Sequence, residues 1–219
     1  MPVRKIPKSF RSVTGRFPSV INGRCVGYES KLERDFFLRL EFDQTVESYE
    51  EQPLRLTGLA GDREVSYTPD CLVRYRDGKP DRIVEVKYQS ELEEKAKEFE
   101  PRFALARNHA RLNGLEFVIA TDADIYDGAI DNYRLIYRFS KPPNNLLSKK
   151  KPIFEALGHA EGRCLSDLLQ SLGADRHIQA EYTPSIWHLI FAGEIQADLT
   201  MPIDYRTIMR LSNGKDSFV

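Results

Sequence analysis

Cysteine is scarce in this chain, and histidine in any recognisable pattern is missing. The 219 residues hold three cysteines, Cys25, Cys71 and Cys164, widely spaced and without a Cys-x-x-Cys. That points to reduced packing residues rather than disulfides or zinc ligands. His109, His159, His177 and His188 form neither a metal-ligand spacing nor a nucleophile pattern. No apolar run resembles a membrane span, and residues 1–10 lack the apolar core of a secretory signal. The expectation is a soluble cytoplasmic protein with no membrane partner. An excess of either charge is absent too: the net charge is -1, so binding to nucleic acid has to come from local basic patches or from partner proteins. There is no internal repeat and no long low-complexity tract. With 41% hydrophobic and 30% charged residues, the chain fits one sizeable domain plus a small one.

What is present centres on Tyr67-Thr68-Pro69-Asp70-Cys71-Leu72-Val73 and Arg82-Ile83-Val84-Glu85-Val86-Lys87. Both runs are rich in β-branched and aromatic residues, and Arg76-Asp77-Gly78-Lys79-Pro80 between them reads as a hairpin turn. With Asp77 and Gly78 as the loop residues, Asp70 falls directly across from Glu85. Two carboxylates ~5 Å apart at an effective dielectric near 20 repel by roughly 3 kcal/mol. A divalent cation would turn that repulsion into a binding site. Alternation puts Lys87 on the face of Glu85, and two hard oxygen donors beside an ammonium suit a phosphodiester. The spacing alone also fits an ordinary surface hairpin with Glu85 and Lys87 as a solvated pair.

Upstream, residues 28–42 read as an amphipathic helix with Leu32, Phe36, Phe37 and Leu40 on its apolar side. Glu33 shares that side or its edge, where an ionised carboxylate is costly unless paired or ligated; an edge position with its head in water fits the pattern as well. Lys31 and Asp35, four apart, look like a surface ion pair. Before the helix, Arg4, Lys5, Lys8, Arg11, Arg16 and Arg24 all precede the first acidic residue, Glu29. Interspersed with Pro2, Pro7 and Pro18, most of this arm is expected to lack regular structure, and it could track a phosphate backbone or be a solvated basic tail. Residues 45–56 read as a strand made irregular by Pro53, and residues 63–67 lead into the central hairpin.

The ordered set Ser30-Lys31-Leu32-Glu33, Glu51-Gln52-Pro53, Tyr67-Thr68-Pro69-Asp70 and Glu85-Val86-Lys87 resembles the PD-(D/E)-x-K nuclease superfamily. More narrowly, it resembles the TnsA endonuclease subunit of bacterial heteromeric transposases. The resemblance implies a restriction-endonuclease-like domain with Glu33, Asp70, Glu85 and Lys87 as the catalytic set. Of these, Asp70, Glu85 and Glu33 would serve a metal, Mg2+ by default and Mn2+ as a substitute. Glu85 stands where some relatives carry glutamine, and Gln52 matches a recurring Gln-Pro feature to which only a supporting role is given. The resemblance also implies DNA carrying transposon ends as substrate, nicked at its 5′ ends in association with the nucleoid. A 3′-end-cutting transposase subunit and an ATPase regulator of transposition would be the partners. A stand-alone restriction or repair nuclease and a non-catalytic adaptor remain alternatives.

Downstream, Ser90 and Glu93 form a capping-box pattern for a helix over 91–99, and Pro101 is expected to start a second one over 102–112. Lys95, Arg107 and Arg111 are candidate phosphate contacts. Residues 115–121 read as a buried strand, expected to run parallel to the Glu85 strand because a helix separates them. Asp122 and Asp124 read as caps. Residues 132–140 read as a further strand, and Lys141-Pro142-Pro143-Asn144-Asn145 as a boundary. Beyond it, helices over 153–158, 165–172 and 184–192, with Thr183 as cap, precede a β wing over 194–199. The third helix is nearly all apolar, with Trp187 as a core anchor, which favours protein docking or packing over base reading. The expected fold is α/β, a mixed central sheet flanked by helices with a small, mostly helical, winged-helix-like C-terminal domain. The expected division is an arm over 1–27, an endonuclease domain over 28–143 and the C-terminal domain over 144–219.

Overall fold

Short β-branched and aromatic runs separated by turn residues build the first elements as strands. The computed structural model describes residues 13–60, 62–158 and 162–212. In chain order, β1 (Gly15–Ser19) and β2 (Arg24–Tyr28) form an antiparallel hairpin. The helix α1 (Lys31–Phe42) follows, then β3 (Val46–Glu51), the hairpin β4 (Leu56–Ala60) and β5 (Arg63–Tyr67), and β6 (Cys71–Tyr75) with β7 (Arg82–Lys87). Two helices, α2 (Gln89–Glu94) and α3 (Ala96–Leu112), lead to β8 (Glu116–Thr121) and the single turn α4 (Asp122–Ile125). Four strands form one sheet in the order β3-β6-β7-β8. β7 and β8 run parallel while the other pairs are antiparallel. This is the expected mixed sheet flanked by helices: α1 packs against β7, and α3 against β7, β8 and the β4–β5 hairpin. Leu72, Ile83 and Ala110 form a core cluster between sheet and α3, joined by Leu115 and Phe117.

The chain divides after Tyr126 into two units. The second contains α5 (Ile130–Ile136), a 3₁₀ turn Tyr137–Phe139, α6 (Leu146–Leu157), β9 (Arg163–Cys164), α7 (Leu165–Leu172), α8 (Arg176–Phe191), β10 (Ile195–Ala197) and β11 (Ile208–Leu211). The three strands pair antiparallel in the order β10-β11-β9. Trp187 is buried on α8, as expected. Among the described residues no helix is long and apolar enough to cross a membrane.

Several expectations are corrected. Residues 15–28 of the supposedly irregular arm are a hairpin held by a carboxylate, Glu41, at the far end of α1. Glu41 Oε1 accepts from Ser19 Oγ at 2.6 Å and Tyr49 Oη at 2.7 Å, and Oε2 from the backbone N–H groups of Val20 at 3.0 Å and Ile21 at 3.2 Å. Asp35 is no surface partner of Lys31; it is 1% exposed and bound by Arg34 and by the Tyr126 hydroxyl. The α2–α3 break falls at Lys95 rather than at Pro101, with Tyr88 at the first N-cap instead of Ser90. Residues 130–139 are helical, not a strand, and belong to the second unit. Asn132 donates to the carbonyls of Leu199 and Met201 and accepts from Ile203 N, while His188 Nδ1 lies 2.9 Å from Phe139 O. The expected boundary at Lys141–Asn145 therefore lies inside that unit. α6 begins earlier than expected, and α8 starts at Arg176 and continues through Pro184.

Glu41 gives a first expectation. Glu41→Gln places an amide donor against donors already committed to the carboxylate, costing about 2–4 kcal/mol. A urea melt should show the midpoint falling in proportion; an unchanged midpoint would refute this account of the hairpin's anchorage.

Candidate active site

Antiparallel pairing of β6 with β7 follows the register Cys71↔Val84, Leu72↔Ile83 and Val73↔Arg82. One step further it sets Asp70, just ahead of β6, across from Glu85 as the sequence implied. The turn differs: pairing ends at Val73 and Arg82, so the connection is longer than two residues, yet the register is the expected one. Two interactions hold the carboxylates together despite their repulsion. The backbone N–H of Val86 donates to Asp70 Oδ2 at 2.8 Å. The Lys87 ammonium lies 2.8 Å from Glu85 Oε1 and 3.7 Å from Asp70 Oδ2, and donates to Val86 O at 3.3 Å.

Glu33, on α1, faces the same region from the helix side. Ser30 caps the helix by accepting from Glu33 N at 3.0 Å, and Glu33 Oε2 accepts from Glu29 N at 2.9 Å. The pattern is a near relative of the capping box, with the side chain reaching one residue beyond the cap. Glu33 is 9% exposed, on the buried side as expected. It lies within electrostatic reach of both Lys87 and Asp70.

The electrostatics match a crowded, partly dry site. Burial first, and then the neighbouring Glu85, push the Asp70 carboxyl well above the ordinary aspartate range; Lys87 only partly offsets them. Burial likewise raises Glu33, against the pull of its bonds to Glu29 and Ser30. For Lys87 burial acts to lower the pKa, but Asp70 and Glu85 outweigh it and hold the ammonium above the usual lysine value. Lys87 is therefore a fixed cation at neutral pH, not a base.

Gln52 follows β3 and is opposite Asp70: its backbone N–H donates to Asp70 O at 2.9 Å. It is the one non-glycine residue with positive φ, +44°, among those described. Its side chain is 7% exposed and its amide oxygen has no partner. Such strain and such an orphaned acceptor cluster at functional sites.

Other sequence candidates stay apart. Arg16 is exposed on β1, and Arg4, Lys5, Lys8 and Arg11 lie outside the described residues. Lys95, Arg107 and Arg111 are engaged with Glu91, Glu100 and Asn108 beside them. Asp124 and Asp122 act as caps: Asp124 completes a capping box with Thr121, and Asp122 accepts from Gln89 N. Sequence reasoning missed Tyr67, whose hydroxyl donates to Glu85 Oε2 at 2.5 Å. It placed Arg24 in the basic arm and did not foresee that its guanidinium grips Glu51 with two bonds. Tyr67 lies in a different sheet from Glu85, so strand alternation carried no signal for it.

Among the described residues no three carboxylate, imidazole or thiolate side chains converge as a ready metal cage. The donor chemistry nevertheless fits Mg2+, which commonly takes one or two carboxylates and completes its shell with water and phosphate oxygens. Asp70 and Glu85 already share one cationic neighbour, the Lys87 ammonium.

Residues 43–122 match a family model described as TnsA-like endonuclease N terminal. The matched stretch includes Gln52, Asp70, Glu85 and Lys87 and leaves Glu33 outside. No curated protein matches the chain. A superfamily of PD-(D/E)-x-K nucleases fits that family, and here the Pro-Asp and Glu-x-Lys halves of the signature meet across one strand pair. The stretch that carries Asp70, Glu85 and Lys87 is thus similar to the N-terminal domain of TnsA-like endonucleases.

Proposed function

We propose that this chain is the metal-dependent DNA endonuclease subunit of a heteromeric transposase, nicking the 5′ ends of a transposon while a separate subunit cuts the 3′ ends. The observation that carries the reading is the meeting of Asp70, Glu85 and Lys87 at one point of a TnsA-like domain, with Glu33 in electrostatic reach. Asp70 and Glu85 would hold Mg2+ or Mn2+, with Glu33 completing the site directly or through water. Bound there, the metal supplies Lewis-acid polarisation of the phosphodiester and an acidified water.

The protein's own groups do the rest. Lys87, a permanent cation, orients the attacking water or a phosphoryl oxygen and offsets charge developing on phosphorus. Burial around Asp70 and Glu85 strengthens each of these interactions. Water adds to phosphorus, the P–O3′ bond breaks and the P–O5′ bond is retained, so the 5′ oxygen keeps its phosphate; breaking P–O5′ instead would leave a 5′-hydroxyl. The reading expects 3′-hydroxyl and 5′-phosphate ends, so the bond broken is P–O3′ and the proton of the attacking water ends on the 3′ oxygen or in solvent.

In the C-terminal unit the order α6-β9-α7-α8-β10-β11 supports a winged-helix module. The apolar second half of α8 is buried in that unit's own packing, which argues against direct base reading by it and leaves docking of a partner, such as an ATPase regulator, to the unit's exposed surface.

Strand-end mapping tests the reading. With Mg2+, DNA carrying transposon ends and the candidate transposase partner, wild type should yield 5′-end nicks that Asp70→Ala abolishes. Cleavage without any partner would favour a stand-alone nuclease. Recombination products unaltered by Asp70→Ala would refute a catalytic role.

A further inference from the structure

The two oxygens of Glu85 are committed to different neighbours. Oε1 faces the Lys87 ammonium, and Oε2 accepts from the Tyr67 hydroxyl. The donor comes from outside the sheet that bears Glu85, because β4 and β5 pair only with each other while β7 lies between β6 and β8. What holds the ring in place is therefore the packing of that hairpin on α3. Tyr67 is 6% exposed, and its ring meets Phe103 edge-on at 6.3 Å between centroids. Phe103 in turn stacks on Phe99 at 5.4 Å and leans on Phe117 of β8 at 5.6 Å. Gly58 of β4 lies so close to α3 that a Cβ there would run into Leu105. The hydroxyl is thus delivered by a rigid aromatic stack, not by a mobile loop.

We infer that Tyr67 is a positioning residue of the active site: it pins Glu85 Oε2 so that Oε1 alone is presented, beside Asp70 Oδ2, to the cation the two carboxylates share. This rests on the endonuclease reading and deepens it. A carboxylate without that anchor is free to turn about its last bond, and its second oxygen, 5% exposed as a residue, loses the donor that satisfies it. Outer partners of this kind orient ligating groups, and their loss typically costs about 10–100-fold in metal affinity or activity.

Tyr67→Phe removes the hydroxyl and keeps the ring. With Mn2+ as the probe, calorimetry should show affinity falling by about 10–100-fold relative to wild type, and the rise in Tm on adding Mn2+ should shrink. The turnover number should fall with the KM for DNA unchanged. Because Tyr67 acts through Glu85, Tyr67→Phe added to Glu85→Gln should cause no further loss of Mn2+ affinity. Equal Mn2+ affinity in wild type and Tyr67→Phe would overturn the inference, as would losses that simply multiply in the double variant. A purely structural hydroxyl would lower Tm equally with and without Mn2+, which also overturns it. Wild type that binds no Mn2+ and cuts no DNA would overturn the endonuclease reading and this inference together, a result distinct from failure of Tyr67→Phe alone. Should Tyr67→Phe not fold, wild type labelled with ¹³C at the tyrosine ring carbons gives the answer. Mn2+ should broaden the signal of one buried tyrosine, and an unaffected tyrosine spectrum would refute the proposal.

Discussion

Asp70→Asn is expected to cut DNA on the order of 10³-fold more slowly than wild type, and yet to melt at a higher temperature in metal-free buffer. The two effects have one cause. Asp70 sits against Glu85 because the β6–β7 register demands it, and its carboxylate is desolvated there. Asparagine keeps an oxygen to accept from Val86 N, as Asp70 Oδ2 does, but brings no charge to repel Glu85. The gain in stability should be about 1 kcal/mol, or roughly 2–4 °C. The pH dependence follows in sign. A raised carboxyl pKa means the folded state keeps its proton after the unfolded state has lost it, so stability falls as pH climbs from the ordinary aspartate value through the raised one. Wild type without metal should lose stability across that window, and Asp70→Asn should lose less. Added Mn2+ should reverse the ranking, since only wild type retains the full donor set. A variant that is both inactive and markedly less stable than wild type without metal would count against this account of the carboxylate pair.

Lys87→Met is expected to produce the opposite stability change with a similar loss of cleavage, about 10²–10³-fold. Methionine keeps the length of the stem but leaves Glu85, 7% exposed at its side chain, without its cation. Breaking one partner of a buried pair costs about 3 kcal/mol, which corresponds to roughly 10 °C in Tm. The Lys87 pKa is raised in the folded state, so its contribution is complete below the ordinary lysine value and disappears as pH rises through the higher, folded one. At neutral pH the whole contribution is therefore at stake. Because a divalent ion can stand in for the lost ammonium, Mn2+ should raise the Tm of Lys87→Met more than that of wild type. Thermal melts with and without Mn2+ read this directly, and a Tm unchanged from wild type would contradict it.

The site was legible in the sequence where one strand pair fixes it. Period-two alternation and a hairpin turn were enough to set Asp70 against Glu85, and the register tolerated an error in loop length because Arg82 and Val73 still pair. Helical spacing placed Glu33 on the buried side of α1 or at its edge, and only the resemblance carried by Ser30-Lys31-Leu32-Glu33 put it with Asp70 and Glu85; the Ser30 cap is seen only in the structure. Tyr67 was not, since its meeting with Glu85 depends on how a separate hairpin seats on α3, a tertiary contact with no local period. The same limit explains residues 130–139. Their apolar pattern is short enough to fit either strand or helix, and the buried side chain of Asn132, bonded to Leu199, Met201 and Ile203, belongs to the second unit's packing. In the arm, Glu41 binds the turn at Val20 and Ile21 from 21 and 20 residues further along the chain, a contact with no local period, so proline spacing alone suggested irregular structure where residues 15–28 form a hairpin.

The most direct measurement is calorimetric titration of Mn2+ into wild type and Asp70→Asn, both verified as folded by their melts. The central claim is that the register of β6 and β7 forces two carboxylates to share one cation position. It requires saturable binding to wild type that Asp70→Asn loses by at least about tenfold. Identical isotherms for the two proteins would contradict it.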